Sequence, residues 1–359
     1  MLPRGSPTIG AMDRTAHVPV SASVAASTPQ HPALSGITVL ERGWLSSNNI
    51  LIHAAAGEPG AVLVDTGHVN HAQQTVALVR QALMGEVAAE VTRQDRGQSQ
   101  GQGLDRIINT HLHSDHCGGN AALQRAFAVL GSTPVPVFVP PGLADAVRSW
   151  DGARLSFEAT GQRCERFHIA GTLSPGAAFT AGARCWQVLA APGHDPHSVM
   201  LFDAEAGLLI SADALWQNGF GVVFPEVAGE PGFDDVAEVL DTISRIPVRL
   251  VIPGHGAPFT DVEAALARAR SRLESFRREP ARHARHALKV LIKYHLMEER
   301  SQPLDLLLQW AAATPLLDEL WQRHGAAQGG TPQAWCERAV HELVAAGVLS
   351  LTGDELRDA

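Results

Sequence analysis

The side chains most able to do chemistry lie in one short segment, NTHLHSDHCGGN, at positions 109–120. His111, His113, Asp115 and His116 place four metal-compatible groups within six positions. Side chains two residues apart on extended backbone point to the same side, so the first two histidines can face one ion. A polar strand-to-helix turn would explain one histidine, but four such residues followed by two glycines indicate a metal site.

Three isolated residues elsewhere in the chain can complete such a site. His194 follows a strand and a Pro-Gly turn in APGHDPHS, Asp213 ends the apolar run of LLISADALW, and His255 follows a third run in VIPGHGAP. Each residue alone would be an ordinary turn residue. Because strand ends at one edge of a layer converge, together they predict a catalytic centre with nitrogen and oxygen ligands.

The elements that must position these residues alternate between strands and helices, which predicts a layered α/β or α+β domain. Apolar and β-branched runs predict strands at 37–40, 49–53, 61–65, 104–110, 135–139, 166–169, 184–190, 198–202, 207–211 and 248–252. Helical spacing of apolar residues predicts helices at 71–91 and near 119–130, 142–150 and 233–244.

The chain divides into three predicted regions. Residues 1–35 mix Pro, Ser, Ala and Thr without a period and predict a flexible leader. Residues 36–262 carry the metal motifs and predict the catalytic domain, which contains a polar, glycine-rich loop at 92–103. Residues 263–359 predict a helical appendage, with a winged-helix-like form and a terminal strand pair left open.

Composition sets limits on the class of protein. The chain has 359 residues with 45% hydrophobic and 18% charged residues, which is typical of a soluble globular protein. A formal net charge of -9 argues against nucleic-acid binding. The four scattered cysteines favour neither disulfides nor a structural zinc site, and no apolar run is long enough to span a membrane. We therefore expect a cytoplasmic protein.

The motif set resembles that of the metallo-β-lactamase-fold hydrolases, over roughly residues 36–262. The shared features are HxHxDH with two glycines, the PGH turn, the strand-end aspartate and the late PGHG histidine. The resemblance implies a four-layer αββα sandwich of α+β class, with a metal site at one edge between two sheets. By position, it implies one ion on His111, His113 and His194, a second on Asp115, His116 and His255, and a bridging Asp213. Asp65 matches a strand-end aspartate that is usually structural.

Two divalent ions at such a site would make hydroxide available near neutral pH and would stabilise developing negative charge. Zinc suits the nitrogen and oxygen ligands best, and manganese or iron stay open. Asp115 is the candidate catalytic residue, because its carboxylate could orient the nucleophile and move its proton. The predicted reaction is the hydrolysis of an ester, thioester or lactone by this dinuclear centre.

Finer assignment within the hydrolases stays open. The segment after Asp213, LWQNGFGVVFPE, lacks the Cys-Gly-Arg-Phe signature of glyoxalase II enzymes. Lactonases often place a tyrosine close after the bridging aspartate, whereas the one tyrosine here, Tyr294, is distant in sequence. Phosphodiester cleavage is an alternative, and so is a regulatory, non-enzymatic protein that acts through its helical appendage.

Two regions bear on the substrate. Trp216, Phe220 and Phe224 could form an apolar substrate wall or could fill the interior. Between positions 264 and 293, nine Arg and Lys residues face only two Glu, which predicts either a solvated helix face or a surface that gathers an anionic substrate. We expect a small-molecule substrate and neither a nucleic acid nor a membrane as partner, and a homo-oligomer stays open.

Overall fold

A computed structural model describes residues 31–91, 103–128 and 134–359. The predicted mobile loop at 92–103 lies almost wholly outside the described residues. So does the predicted leader at 1–35, except for its last five positions. There, Pro32–Leu34 forms a short 3-10 helix, and Ala33 is buried against the sheets.

The first sheet has the strand order β1 to β6 along the chain, with antiparallel pairing from β1 to β3 and parallel pairing from β3 to β6. Buried β-branched and leucine side chains account for its central strands. Its strands are β1 (Ile37–Leu40), β2 (Asn49–Ile52), β3 (Ala61–Val64), β4 (Leu104–Ile108), β5 (Val137–Val139) and β6 (Gly171–Thr172).

The second sheet has the order β11-β10-β9-β8-β7, and its pairs are antiparallel except for the parallel pair of β10 and β11. Its strands are β7 (Ala178–Ala181), β8 (Arg184–Ala190), β9 (Val199–Asp203), β10 (Leu208–Ala212) and β11 (Leu250–Pro253). The predicted strand at 166–169 is wrong, because Phe167 is buried by packing while its backbone stays irregular. The missed strand β7 joins β8 through Gly182 and Ala183, both of which have positive φ, as tight hairpin turns require.

Helices cover the outer face of each sheet. The helices on the first sheet include α1 (Ala72–Val91), α2 (Ser114–Cys117), α3 (Asn120–Ala126), α4 (Ala144–Ser149) and α5 (Phe157–Thr160). Those on the second sheet are α7 (Phe233–Arg245) and α8 (Val262–Arg278), whereas α6 (Phe224–Ala228) packs against the C-terminal region through Val227. Ile50 and Val64 pack between the sheets against Trp186 and Leu201. The expected four-layer αββα sandwich is confirmed.

The C-terminal region has its own apolar core. It is built from α9 (Pro280–Glu299), β12 (Ser301–Pro303), α10 (Leu304–Ala313), α11 (Pro315–Leu320), α12 (Pro332–Ala345), β13 (Leu349–Thr352) and β14 (Glu355–Asp358). The three strands form one antiparallel sheet, so this region is not all-helical, and the terminal strand pair that the sequence left open is present. A strand after the first helix and a closing hairpin give it a winged-helix-like form. Among the described helices, none has the length and apolar composition needed to cross a membrane.

Candidate metal centre

The seven predicted ligand residues meet at one edge of the sandwich. Asp213 directly follows β10, His255 follows the adjacent parallel strand β11, and His111 follows β4 of the other sheet. Parallel strands bring their carboxyl ends to the same edge, which explains why these loops converge. His194 arrives on the loop between β8 and β9. The fold therefore brings together His111 and His255, which are 144 positions apart in the sequence.

Three histidines, His111, His113 and His194, form what we call the histidine group. The distance from His111 Nε2 to His113 Nδ1 is 3.0 Å, and that from His113 Nδ1 to His194 Nε2 is 2.8 Å. The outer nitrogens are held elsewhere: His111 Nδ1 lies 3.1 Å from Thr110 Oγ1, and His194 Nδ1 donates to the Val222 carbonyl at 2.6 Å. The inner nitrogens are thereby left as lone-pair donors that face one point.

Asp115, His116, Asp213 and His255 form what we call the mixed group. His255 Nε2 lies 3.1 Å from Asp115 Oδ2, and His116 Nε2 lies 3.4 Å from Asp213 Oδ2. The same Asp213 oxygen lies 3.3 Å from His194 Nε2 in the histidine group. Asp213 is therefore in position to touch ions in both groups.

The spacing and the chemistry of the ligand atoms in both groups fit metal binding. In each group the ligand atoms lie within 4.8 Å of one another. His116 Nε2 is buried and has no hydrogen-bond partner among the described residues, although it points into the mixed group. A buried polar atom left unsatisfied costs about 1–3 kcal/mol, so a ligand there is favoured. The imidazole and carboxylate donors suit divalent zinc, manganese or iron.

Asp65 orients His116 and Thr110 through hydrogen bonds. Its Oδ2 accepts a hydrogen bond from His116 Nδ1 at 2.7 Å, and its two oxygens accept from the Thr110 amide and hydroxyl, each at 2.8 Å. Asp65 has φ of 57° and Ala212, just before Asp213, has φ of 46°. Such left-handed residues are costly for side chains other than glycine and cluster at functional sites. Both strand ends thus show backbone strain beside the centre.

The histidine pKa values differ between the two groups. Burial lowers the pKa of His111 well below its usual range, and burial with the neighbouring His194 lowers the pKa of His113 to about 4. Burial also opposes the charged form of His116 and His255, yet the carboxylate of Asp213 helps to raise the pKa of both. His111 and His113 are therefore neutral at pH 7, whereas the mixed group attracts protons or other cations.

The carboxylate pKa values in the mixed group shift in the opposite direction to that of its histidines. Burial would raise the pKa of Asp115, but the charges of His116 and His255 lower it to about 2. The same two imidazoles outweigh burial at Asp213 and hold its pKa well below the usual range. Both carboxylates are consequently ionised at neutral pH and available as metal ligands.

A cavity of about 680 Å³ opens onto both groups. Trp216 and Phe224 line it, as predicted for a substrate wall. Phe220 does not: only 2% of it is exposed, and it packs in the core with its ring centroid 6.3 Å from that of Phe276. The glycines on either side let the chain turn this ring inward. Phe220 therefore fills the interior, and the prediction of a substrate role for it is wrong.

Two aromatic residues line the cavity that the sequence did not predict there. Trp44, on the loop after β1, stacks on the His255 ring at 5.4 Å, and Trp216 meets the same ring edge-on. Tyr294 of α9 also lines the cavity, and its hydroxyl lies 2.7 Å from Ser114 Oγ. The distance of Tyr294 in sequence was therefore a poor guide. Its one available signal was that it is the only tyrosine in the chain.

The fold and the site define a class. The sequence model of the metallo-beta-lactamase superfamily matches residues 42–255, and the chain belongs to this superfamily. Two curated proteins of Bacillus subtilis (strain 168) are similar to it. The probable metallo-hydrolase YqjP is 25% identical over 204 residues, which cover 49% of this chain and 62% of YqjP. The probable metallo-hydrolase YqgX is 28% identical over 161 residues, which cover 44% of this chain and 70% of YqgX.

Solved structures are similar over more of the chain. A metallo-beta-lactamase family protein from Thermus thermophilus has 19% identity and a TM-score of 0.49, covering 91% of this chain and 99% of that one. A beta-lactamase domain protein from Burkholderia ambifaria has 20% identity and a TM-score of 0.47, covering 93% of this chain and 98% of that one.

Proposed function

We propose that the protein is a metal-dependent hydrolase of esters, thioesters or lactones. The observation that carries this proposal is the convergence of seven imidazole and carboxylate groups, in two adjoining sets, at the base of a cavity. Membership of the superfamily and the names of the two Bacillus relatives, both probable metallo-hydrolases, support it.

The residues would divide the work as follows. His111, His113 and His194 would hold one ion, Asp115, His116 and His255 a second, and Asp213 would contact both. Divalent ions held there would supply a water of lowered pKa and would polarise a substrate carbonyl. Zinc is the proposed metal, because five of the seven ligand groups are imidazoles, which suit zinc better than magnesium or calcium.

The chain's own side chains would then position the reactants. Asp115 is the proposed catalytic residue, since its ionised carboxylate faces the cavity and can orient a water and accept its proton. Trp44, Trp216 and Phe224 would exclude bulk water and pack against the acyl group. The apolar wall of Trp44, Trp216 and Phe224 suits the hydrocarbon chain of an acyl group, which favours acyl substrates over phosphodiesters.

Two measurements test this function. Metal analysis of purified protein should give about two transition-metal ions per chain after zinc supplementation, and a protein that takes up none would overturn the assignment. A panel of esters, thioesters, lactones and phosphodiesters should show metal-dependent turnover of an acyl substrate. We expect Asp115→Asn to lower kcat by about 100-fold or more, the range for a lost acid-base group. Equal rates in wild type and variant would favour a regulatory protein.

A further inference from the structure

The end of the cavity formed by α8 and α9 carries several basic side chains. Arg272 of α8 and His286, Lys289 and Lys293 of α9 line the same cavity as the metal centre. The two lysines are the only lysines in a sequence that otherwise uses arginine. Basic groups from two helices thus face the substrate space at this end.

Among the described residues, only one of these cations lacks a carboxylate partner. Lys289 Nζ lies 2.8 Å from Glu342 Oε2, while Lys293 pairs with Asp358 and also donates to a carbonyl. In the described part of the chain, Arg272 has no carboxylate within ion-pair distance, and its one hydrogen bond is a long contact of 3.5 Å to the Phe220 carbonyl. A half-buried guanidinium without a counter-charge favours the binding of an anion.

Among the described residues that line the basic end of the cavity, Arg272 is the one charged group without a carboxylate partner. Burial and the charges of Arg272 and Lys289 lower the pKa of His286 to about 4, so this imidazole is neutral near pH 7. Lys289 pairs with Glu342, a carboxylate that Arg285 also contacts, and Lys293 pairs with Asp358. A single free guanidinium matches a single negative charge, and its planar fork suits a carboxylate.

Arg272 and His194 of the metal centre both lie against the short segment 219–221. A Cβ added at Gly219 would lie 2.7 Å from Arg272 Nη1, and one added at Gly221 would lie 2.4 Å from His194 Nδ1. Two residues of backbone span at most about 7 Å, so the guanidinium and the histidine group are close. A substrate of modest length can therefore reach both.

We propose that Arg272 binds a carboxylate at the far end of the substrate, so that the preferred substrates are esters or thioesters of dicarboxylic acids. This proposal rests on the proposed hydrolase function. The scissile carbonyl lies at the metal centre, the acyl chain lies along Phe224, and the free carboxylate pairs with the guanidinium of Arg272. Arg272 sets specificity and touches no reacting atom.

The test compares charged and neutral substrates of equal chain length. Zinc-loaded wild type and Arg272→Gln are assayed with para-nitrophenyl hydrogen adipate and para-nitrophenyl hexanoate. We expect Arg272→Gln to lower kcat/KM for the adipate ester by about 10- to 100-fold, the range for a charge-assisted hydrogen bond, mainly through KM. The hexanoate ester should be unaffected. Equal losses on both esters, or no preference in wild type, would overturn the proposal.

Arg270→Gln is the matched control. Arg270 lies on the same helix but pairs with Asp241 at the surface and does not line the cavity. It removes the same charge from α8, so it should leave the ratio of the two esters unchanged. A similar loss of kcat/KM for the adipate ester in both variants would show that any positive charge on α8 has this effect, and it would overturn the proposed contact between Arg272 and the substrate carboxylate.

A binding experiment separates this inference from the hydrolase function. If zinc-loaded protein cleaves no ester, the hydrolase function fails, but calorimetric titration with adipate and hexanoate still tests Arg272. Wild type should bind adipate at least about tenfold more tightly, and Arg272→Gln should remove that difference. Equal binding of both acids by wild type would overturn the inference whatever the catalytic result.

Discussion

The histidine group and the mixed group lie side by side and share Asp213 as a neighbour, yet their electrostatics are opposite. Burial and mutual repulsion lower the pKa of His111 and His113. The carboxylates around His116 and His255 raise the pKa of these equally buried imidazoles. The surrounding charges, and not burial alone, therefore decide whether a buried histidine is neutral and able to bind a metal ion or is protonated and must first lose its proton.

The largest expected effect comes from removing the residue between the groups. Asp213→Ala should leave fewer than two ions per chain and lower kcat/KM by more than the roughly 10- to 100-fold that is typical of residues which only orient a ligand. Metal analysis and kinetics check this outcome. Asp241→Ala, which removes an exposed carboxylate paired with Arg270, is the control and should change neither. Two tightly held ions in Asp213→Ala would exclude a bridging role.

Asp65→Asn should weaken metal binding at the mixed group much more than at the histidine group. The carboxylate of Asp65 accepts directly from His116 Nδ1 at 2.7 Å, whereas it reaches His111 of the histidine group only through the Thr110 hydroxyl. Removing its charge should weaken metal binding at the mixed group by about 10- to 100-fold and leave the histidine group nearly unchanged. Competition with a chromophoric chelator measures both affinities, and thermal unfolding checks that the variant folds. Equal weakening at both groups would contradict the separation.

As the pH falls, the mixed group should lose its metal ion before the histidine group does. Metal must displace a proton from His255 or His116, whose pKa values are raised, but not from His113, whose pKa is about 4. Affinity at the mixed group should therefore fall about tenfold per pH unit as the pH drops below those raised pKa values. Because the pKa values of His111 and His113 are lowered, the histidine group should lose its ion at a lower pH than the mixed group. Equilibrium dialysis with zinc across this range gives the order, and simultaneous loss would refute it.

Tyr294→Phe should have the smallest effect and should not distinguish the groups. The Tyr294 hydroxyl contacts Ser114, which lies between His113 and Asp115 and keeps a second hydrogen bond to Gln162. Loss of the hydroxyl should lower the free energy of unfolding by about 0.5–1.5 kcal/mol. Denaturant unfolding measures this change, and the metal affinities of both groups should shift by similar small factors. A large change in one group alone would assign Tyr294 a direct role there.

The sequence predicted the strand ends well, because apolar runs followed by a polar residue carry a local signal. It predicted Asp65 at the end of β3, and it left open the strand pair that the structure shows at the C-terminus. It wrongly predicted a strand around Phe167, because an apolar residue that is buried by an irregular segment gives the same local pattern as a strand. It also misplaced Phe220, because the local sequence does not decide whether an apolar ring near the site faces the cavity or the interior. It also missed Trp44 and Tyr294, because nothing in their local sequence indicates that they line a cavity.

By itself, the sequence determined the donor types, their spacing in HxHxDH and the layered class of fold, since these depend on residue chemistry and short-range periodicity. Only the tertiary structure decided which histidines are neutral, because their pKa values depend on charges from distant strands. It also placed α8 and α9 over the centre and left Arg272 without a carboxylate partner among the described residues. Such relations arise from packing between elements far apart in the chain, and no local pattern encodes them.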